Sequence, residues 1–200
     1  MFAQVESGSI TSFPKGNKGI QIGDNNYPRT IYSLWTEAER NAIGIYTVEI
    51  DETNRKDETF YINTDISYAF GSGKVTGSYG TATAKAIADV NAKDENGDDL
   101  DPVIVIKGLK TQYKDNFNAQ AAGLLAPTDW YVVKATEVSD YSVPSAITTY
   151  RAAVRTKVNA METAIDGCAN VAALITLLTY VEQEDGTITR PLGEFPDEVV

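Results

Sequence analysis

An α+β fold is predicted, with an antiparallel β-rich N-terminal part followed by a C-terminal helical hairpin or bundle. Three observations lead to it. Apolar and polar residues alternate at period two in several short runs of the first half, from Phe2 onward. From Leu109 the apolar spacing lengthens to three and four. Helix-start and helix-stop residues, Pro127, Ser145, Gly167 and Asn170, bracket the later segments. The division is drawn near Lys107: a β-rich domain over 1–106, a helical module over 107–182 and an extended C-terminal arm over 183–200.

Phe2 to Glu6 and Ile10 to Phe13 flank Ser7-Gly8-Ser9, a connection of the hairpin kind. Phe2, Gln4 and Glu6 then share one face, and Ala3 and Val5 the other. Pro14 to Pro28 is rich in Gly, Asn and Pro and reads as a loop or extended arm. Thr36-Glu37-Ala38-Glu39 has capping-box form and starts a short helix running to about Ile43. Strands are expected at Ile43 to Val48, Thr59 to Phe70, Lys74 to Tyr79 and Pro102 to Ile106, where tyrosines and β-branched residues recur. Leu109, Tyr113, Phe117, Ala121, Leu124 and Leu125 form one helical stripe, which Pro127 ends by its ring and missing N–H. Ser145 is expected to cap a longer helix with the stripe Ile147, Tyr150, Val154, Val158, Met161 and Ile165, closing near Gly167. Asn170 caps a third, carrying Val171, Leu174, Leu177, Leu178 and Val181. Glu182 to Val200 is polar with Gly and Pro, and reads as an arm or frayed tail.

Two hundred residues, 42% hydrophobic and 22% charged, are enough to bury a sizeable core and argue against wholesale disorder. A formal charge of −11 argues against a nucleic-acid partner, which requires a basic face. No apolar run approaches the roughly 20 residues that cross a bilayer, so no membrane partner is expected. Met1 to Glu6 lacks the basic start and apolar stretch of a signal peptide, and the chain is expected to be made in a cytoplasm. A single cysteine, Cys168, gives no internal disulfide framework, and the absence of histidine removes Ser-His-Asp and Cys-His catalysis and histidine-ligated metals.

Four chemical candidates are weighed against plainer readings. Asp94 to Asp101 begins like a calcium loop, but Asp99 and Val105 stand where an EF-hand needs Gly and Glu, so a solvated acidic turn is preferred. Gly71 to Gly77 hints at a phosphate loop, but Tyr68 and Val75 occupy positions that need Gly and Ser or Thr, so a turn between strands is preferred. The 28 acidic residues leave a sugar-cleaving carboxylate pair conceivable but single none out. Cys168 reads as a small packing residue. No catalytic residue, metal ligand or cofactor site is assigned.

One segment stands apart. Leu124-Leu125-Ala126-Pro127-Thr128-Asp129-Trp130 is followed after a spacer by Thr149-Tyr150-Arg151-Ala152-Ala153-Val154-Arg155. Trp130 is expected to anchor the packing of the next element, and Arg151 to pair with Asp129 or stack on an aromatic ring. Thr128-Asp129-Trp130 behind two leucines resembles the T-D-W of bacteriophage tail-assembly chaperone modules. Tyr150-Arg151 with Arg155 resembles their Y-R-x-x-L-R, with Val154 in place of leucine. Leu109 to Leu178 therefore resembles the C-terminal half of phage tail-fibre and tail-fibre assembly proteins. Trp35 to Tyr46 is similar, less specifically, to the N-terminal part of short tail proteins. The resemblance implies a non-enzymatic protein of the virion tail, bound to the fibre or baseplate, with other tail proteins as partners and a homo-oligomer, a trimer being one arrangement. It equally fits a non-virion chaperone of fibre assembly. A carbohydrate-active tail protein or a contact with host-surface glycan comes third. The docking motif it marks is Leu124, Leu125, Pro127, Asp129, Trp130, Tyr150, Arg151 and Arg155.

Overall fold

The computed structural model describes residues 1–198 and divides the chain into two compact units, Met1–Thr83 and Ala84–Val200. The architecture is α+β, with strands dominating the first unit and helices the second.

In the first unit β1 (Phe2–Glu6) and β2 (Ser9–Ser12) pair about Ser7 and Gly8, whose φ values of 51° and 79° make the primed turn that suits strand twist. β3 (Ile20–Ile22) and β4 (Asn25–Tyr27) form a small antiparallel hairpin inside the stretch expected to be loop. Then come α1 (Ile31–Leu34) and α2 (Glu37–Ala42), followed by β5 (Ile45–Asp51), β6 (Tyr61–Ile62), β7 (Ile66–Gly71) and β8 (Lys74–Tyr79). The run expected as one strand from Thr59 to Phe70 is thus split into β6 and β7. β9 (Thr83–Ala84) falls at the division between units. The capping box of α2 is fully formed: Thr36 N–H donates to Glu39 Oε2 at 2.7 Å, and Glu39 N–H donates to Thr36 Oγ1 at 3.3 Å. These bonds to the charged form hold the Glu39 carboxyl below its ordinary pKa.

The strands form a five-stranded sheet in the order β2-β1-β5-β8-β7, antiparallel except where β5 meets β8. One face buries Ala3, Val5, Val48 and Val75, with Ile10, Tyr46, Tyr68 and Phe70 packed on them. The Tyr46 and Phe70 rings lie 4.9 Å apart, and Phe13, just past edge strand β2, lies 4.7 Å from Tyr68 on edge strand β7. On the other face Phe2 packs on Tyr32 of α1 at 4.8 Å and under the Arg40 guanidinium of α2 at 5.4 Å. The predicted alternation of β1 is therefore real, although Gln4 is buried as well, its amide bonded to Glu6 and Ser12. Gly44 (φ 81°) turns the chain from α2 into β5, and a Cβ there would lie 2.6 Å from the Val5 carbonyl oxygen.

The second unit starts earlier than the expected division at Lys107. Its ribbon, β10 (Val90–Asn91) and β11 (Val105–Ile106), is preceded by a segment that caps the first long helix, α3 (Leu109–Leu125). Leu109 N–H donates to Ala86 O, Lys110 N–H to Ile87 O and Gly108 N–H to Asp89 Oδ1. Residues 86–89 thereby satisfy amides that a helix start leaves without intrahelical acceptors. A Cβ on Gly108 would lie 2.3 Å from Ala88 backbone atoms, so the approach needs glycine.

After α3 a 3₁₀ turn (Ala126–Thr128) leads to α4 (Asp129–Glu137), then α5 (Ser145–Asp166) and α6 (Val171–Leu178). α3 and α5 form the predicted hairpin. They run antiparallel, as the Lys114–Asp166 ion pair at one end, the Asn118–Glu162 bond between and the Tyr150–Leu124 bond at the other show. Every residue of the predicted α5 stripe is buried, together with Leu109, Phe117, Ala121, Cys168, Val171 and Leu174. Asn170 caps α6 by accepting from Ala173 N–H at 2.9 Å. Ser145 does not cap α5: the helix begins one residue earlier in register, with Pro144 at the cap and its carbonyl accepting from Thr148 N–H. Gly167 ends α5 with φ −70°, without the left-handed conformation that most favours glycine.

The stretch expected to be an extended arm holds a short hairpin and a docked segment. β12 (Val181–Glu182), which takes Val181 out of the expected third helix, pairs with β13 (Ile188–Thr189). Leu192 is 4% exposed and bonds to Leu177 O, while Lys157 Nζ donates to Leu192 O. Arg190 lies 5.3 Å over the Phe117 ring and 5.0 Å over Tyr180. An amphipathic Arg stem and one leucine suffice to dock a segment of polar composition. The expected arm beyond residue 198 lies outside the described residues.

Candidate functional site: the Arg151 corner

The motif residues meet where α3 ends. The last carbonyls of a helix have no intrahelical donor, and the negative end of its dipole favours a cation there. Arg151 meets both needs from the facing surface of α5. One guanidinium nitrogen, Nη1, donates to Leu125 O at 2.9 Å and to Thr128 Oγ1 at 2.6 Å; Nη2 pairs with Asp129 Oδ1 at 2.8 Å. Tyr150 Oη donates to Leu124 O at 3.3 Å, and Thr128 Oγ1 donates to Leu125 O at 2.7 Å. Arg151 is only 8% exposed, whereas the side chain of Asp129 is 60% exposed. Burial raises the Tyr150 phenol above its ordinary pKa, so it stays a neutral donor.

Pro127 lies inside the 3₁₀ turn and stops α3, as expected, yet the chain re-enters helix at once. Asp129, in the first turn of α4, sits at the positive end of that helix's dipole while it pairs with Arg151. Leu124 and Leu125 contribute carbonyls to the corner, and their side chains are half-buried. Arg151 therefore pairs with Asp129, one of the two alternatives read from the sequence.

Trp130 does not anchor the turn. It is 51% exposed and stacks on its neighbour Tyr131 at a ring distance of 3.8 Å, with the Lys134 ammonium 5.7 Å from its ring. Thr128, buried at the centre of the corner, holds the inward position. Arg155 is exposed on α5, one turn beyond Arg151, and does not join the corner.

Two components are not legible in the sequence. Thr128 stands in the T-D-W segment, but nothing there marks it as the inward residue. Helix α4 was masked by Tyr131-Val132-Val133, a run with strand propensity. α4 contains no buried residue, and Trp130, Val132 and Val133 leave large apolar surfaces in solvent, with Val133 53% exposed.

The other chemical candidates resolve into local structure. Asp94 Oδ1 accepts from the amides of Asn96 and Asp98, which lowers the Asp94 carboxyl pKa and makes the segment an acidic turn. Gly71 to Gly77 spans the β7–β8 turn, with Ser72 at φ 51° and Gly73 at φ 75°. Cys168 is buried, its Sγ donating to Ala164 O at 3.5 Å. Among the described residues no three Asp, Glu or Cys side chains gather closely enough to hold a metal ion, and no helix is long and apolar enough to cross a membrane.

Comparison of the chain with protein families, with curated proteins and with solved structures finds no match.

Proposed function

We propose that this chain is a non-enzymatic structural protein of a bacteriophage tail, a fibre- or baseplate-associated virion component that docks on other tail proteins. The observation that carries the reading is the Arg151 corner with α4 attached to it. Residues that resemble the tail-module motif build a buried, hydrogen-bonded bracket, and the helix leaving that bracket offers Trp130, Val132 and Val133 to solvent. A mounted, exposed tryptophan flanked by apolar residues suits protein recognition, since tryptophan is among the residues that most often carry interface energy. The motif residues have structural roles in this arrangement: Arg151, Tyr150 and Asp129 hold the bracket, and Trp130 is the contact residue. Self-association through the same surface, a trimer included, fits this reading. A host-surface glycan is not needed for it.

The assembly-chaperone reading draws on the same exposed helix, because a transient holder of fibre subunits also needs an accessible apolar face. Quantitative mass spectrometry of purified particles separates the two. A fixed stoichiometry relative to known tail proteins supports the virion role. Presence in the infected lysate with absence from particles supports the chaperone, and absence from both overturns the tail assignment.

A further inference from the structure

The first unit contains a cavity of about 550 Å³, within the size range of small-ligand sites. Residues 12–20 form much of its lining, joined by Gln4 of β1 and Tyr32 of α1. Its apolar walls are Phe13, Pro14, Ile20 and Tyr32. Gly16 adopts φ 72°, and a Cβ there would meet the Phe2 and Tyr32 rings at 3.4 Å, so the loop lies close across those rings. No residue of the Arg151 corner lines this cavity, and its ligand does not depend on the tail reading.

Charge decides the kind of ligand. The chain carries −11 overall, yet the lining holds two lysines, Lys15 and Lys18, and no carboxylate. Both lysines are exposed, and neither enters an ion pair among the described residues. The neighbouring carboxylate, Glu6, is bonded to the Gln4 amide at 2.6 Å and lies outside the lining. The backbone N–H groups of Lys15, Gly16, Asn17 and Lys18 have no acceptor among the described residues. Amides left without a protein acceptor beside two cations favour an anion over a cation as ligand, while the rings of Phe13 and Tyr32 offer an apolar surface to a ligand body.

We propose that this cavity binds a small organic acid, a carboxylate borne on a ring, with the carboxylate at Lys15 and Lys18 and the ring between Phe13 and Tyr32. The test uses the full chain labelled with ¹⁵N, titrated separately with glucuronate, benzoate, neutral glucose and inorganic phosphate while amide shifts are followed. Saturable shifts at Gly16, Asn17, Lys18 and Gly19 with glucuronate or benzoate are expected, and the tighter-binding of the two identifies the ring as sugar or aromatic. The K15Q/K18Q variant, altered at exposed positions, should keep the remaining amide spectrum and bind roughly tenfold more weakly, since it loses both charge-assisted partners. Four results would overturn the proposal: no saturable shift with either acid, equal binding of glucose, phosphate binding as strong as that of the acids (an adventitious ion only), or undiminished binding by K15Q/K18Q.

Discussion

Replacing Arg151 with methionine isolates what the corner contributes. The unbranched methionine keeps most of the buried stem volume, so the cavity term is small. What disappears is the guanidinium, with its bonds to Leu125 O and Thr128 Oγ1 and its pairing with Asp129. Two hydrogen bonds from a charged donor contribute about 3 kcal/mol together. The Asp129 pair adds less than about 1 kcal/mol, because that carboxylate is 60% exposed and screened. Relief from burying a charge that is 8% exposed offsets part of this, leaving a net loss of about 2–3 kcal/mol. For a chain of this length that corresponds to a fall in Tm of roughly 5–10 °C in the helical transition. Circular dichroism at the helix band, recorded during thermal unfolding, measures it. Arg151→Lys should fall between the two, since one ammonium cannot reproduce the planar fork that serves three acceptors. A methionine variant whose Tm stays within about 2 °C of the parent would show that the guanidinium contributes little to the corner.

Trp130→Ala should change stability by less than about 0.5 kcal/mol, because the ring is half in solvent; on the proposed docking role it should also weaken co-sedimentation with purified tails severalfold. Gly44→Ala should destabilise the first unit by about 2 kcal/mol or more, combining a left-handed φ of 81° with a 2.6 Å approach to Val5 O, as read by urea denaturation. The Asp89 carboxyl is held below its ordinary pKa of 3.8 by bonds from the Thr111 side chain and from Gly108 N–H. A depressed folded-state pKa stabilises above the unfolded value and is lost as pH falls through the folded value. The Asp89→Asn variant should therefore show less acid destabilisation than the parent below about pH 4 in chemical denaturation across pH.

Local signals were legible wherever one short stretch decided the outcome. The capping box at Thr36 and Glu39, the Asn170 cap, the Ser7-Gly8 turn and the α5 stripe each depend on neighbours a few residues away. The α3–α5 hairpin followed from the two apolar stripes and Pro127. Tertiary effects were not legible. Arg151 binds the main-chain oxygen of Leu125 and Tyr150 that of Leu124, and carbonyls have no sequence signature; only the Asp129 partner of Arg151 is visible. Tyr131-Val132-Val133 has strand propensity, but α4 follows helically from Asp129 at its first turn. Trp130, just past a helix end, is expected to anchor the next element, whereas Thr128 fills the inward position. The division moved from Lys107 to Ala84 because residues 86–89 cap α3 through backbone bonds, and Leu192 holds a segment whose average polarity reads as a tail.

On the proposed function the Arg151 corner mounts α4 for docking within a phage tail, and an electron cryomicroscopy reconstruction of intact particles tests this. Density for the chain is expected in the tail, with Trp130, Val132 and Val133 covered by another tail protein or by a second copy. A reconstruction that contains the chain with α4 facing solvent, or a complete tail without the chain, overturns the proposal.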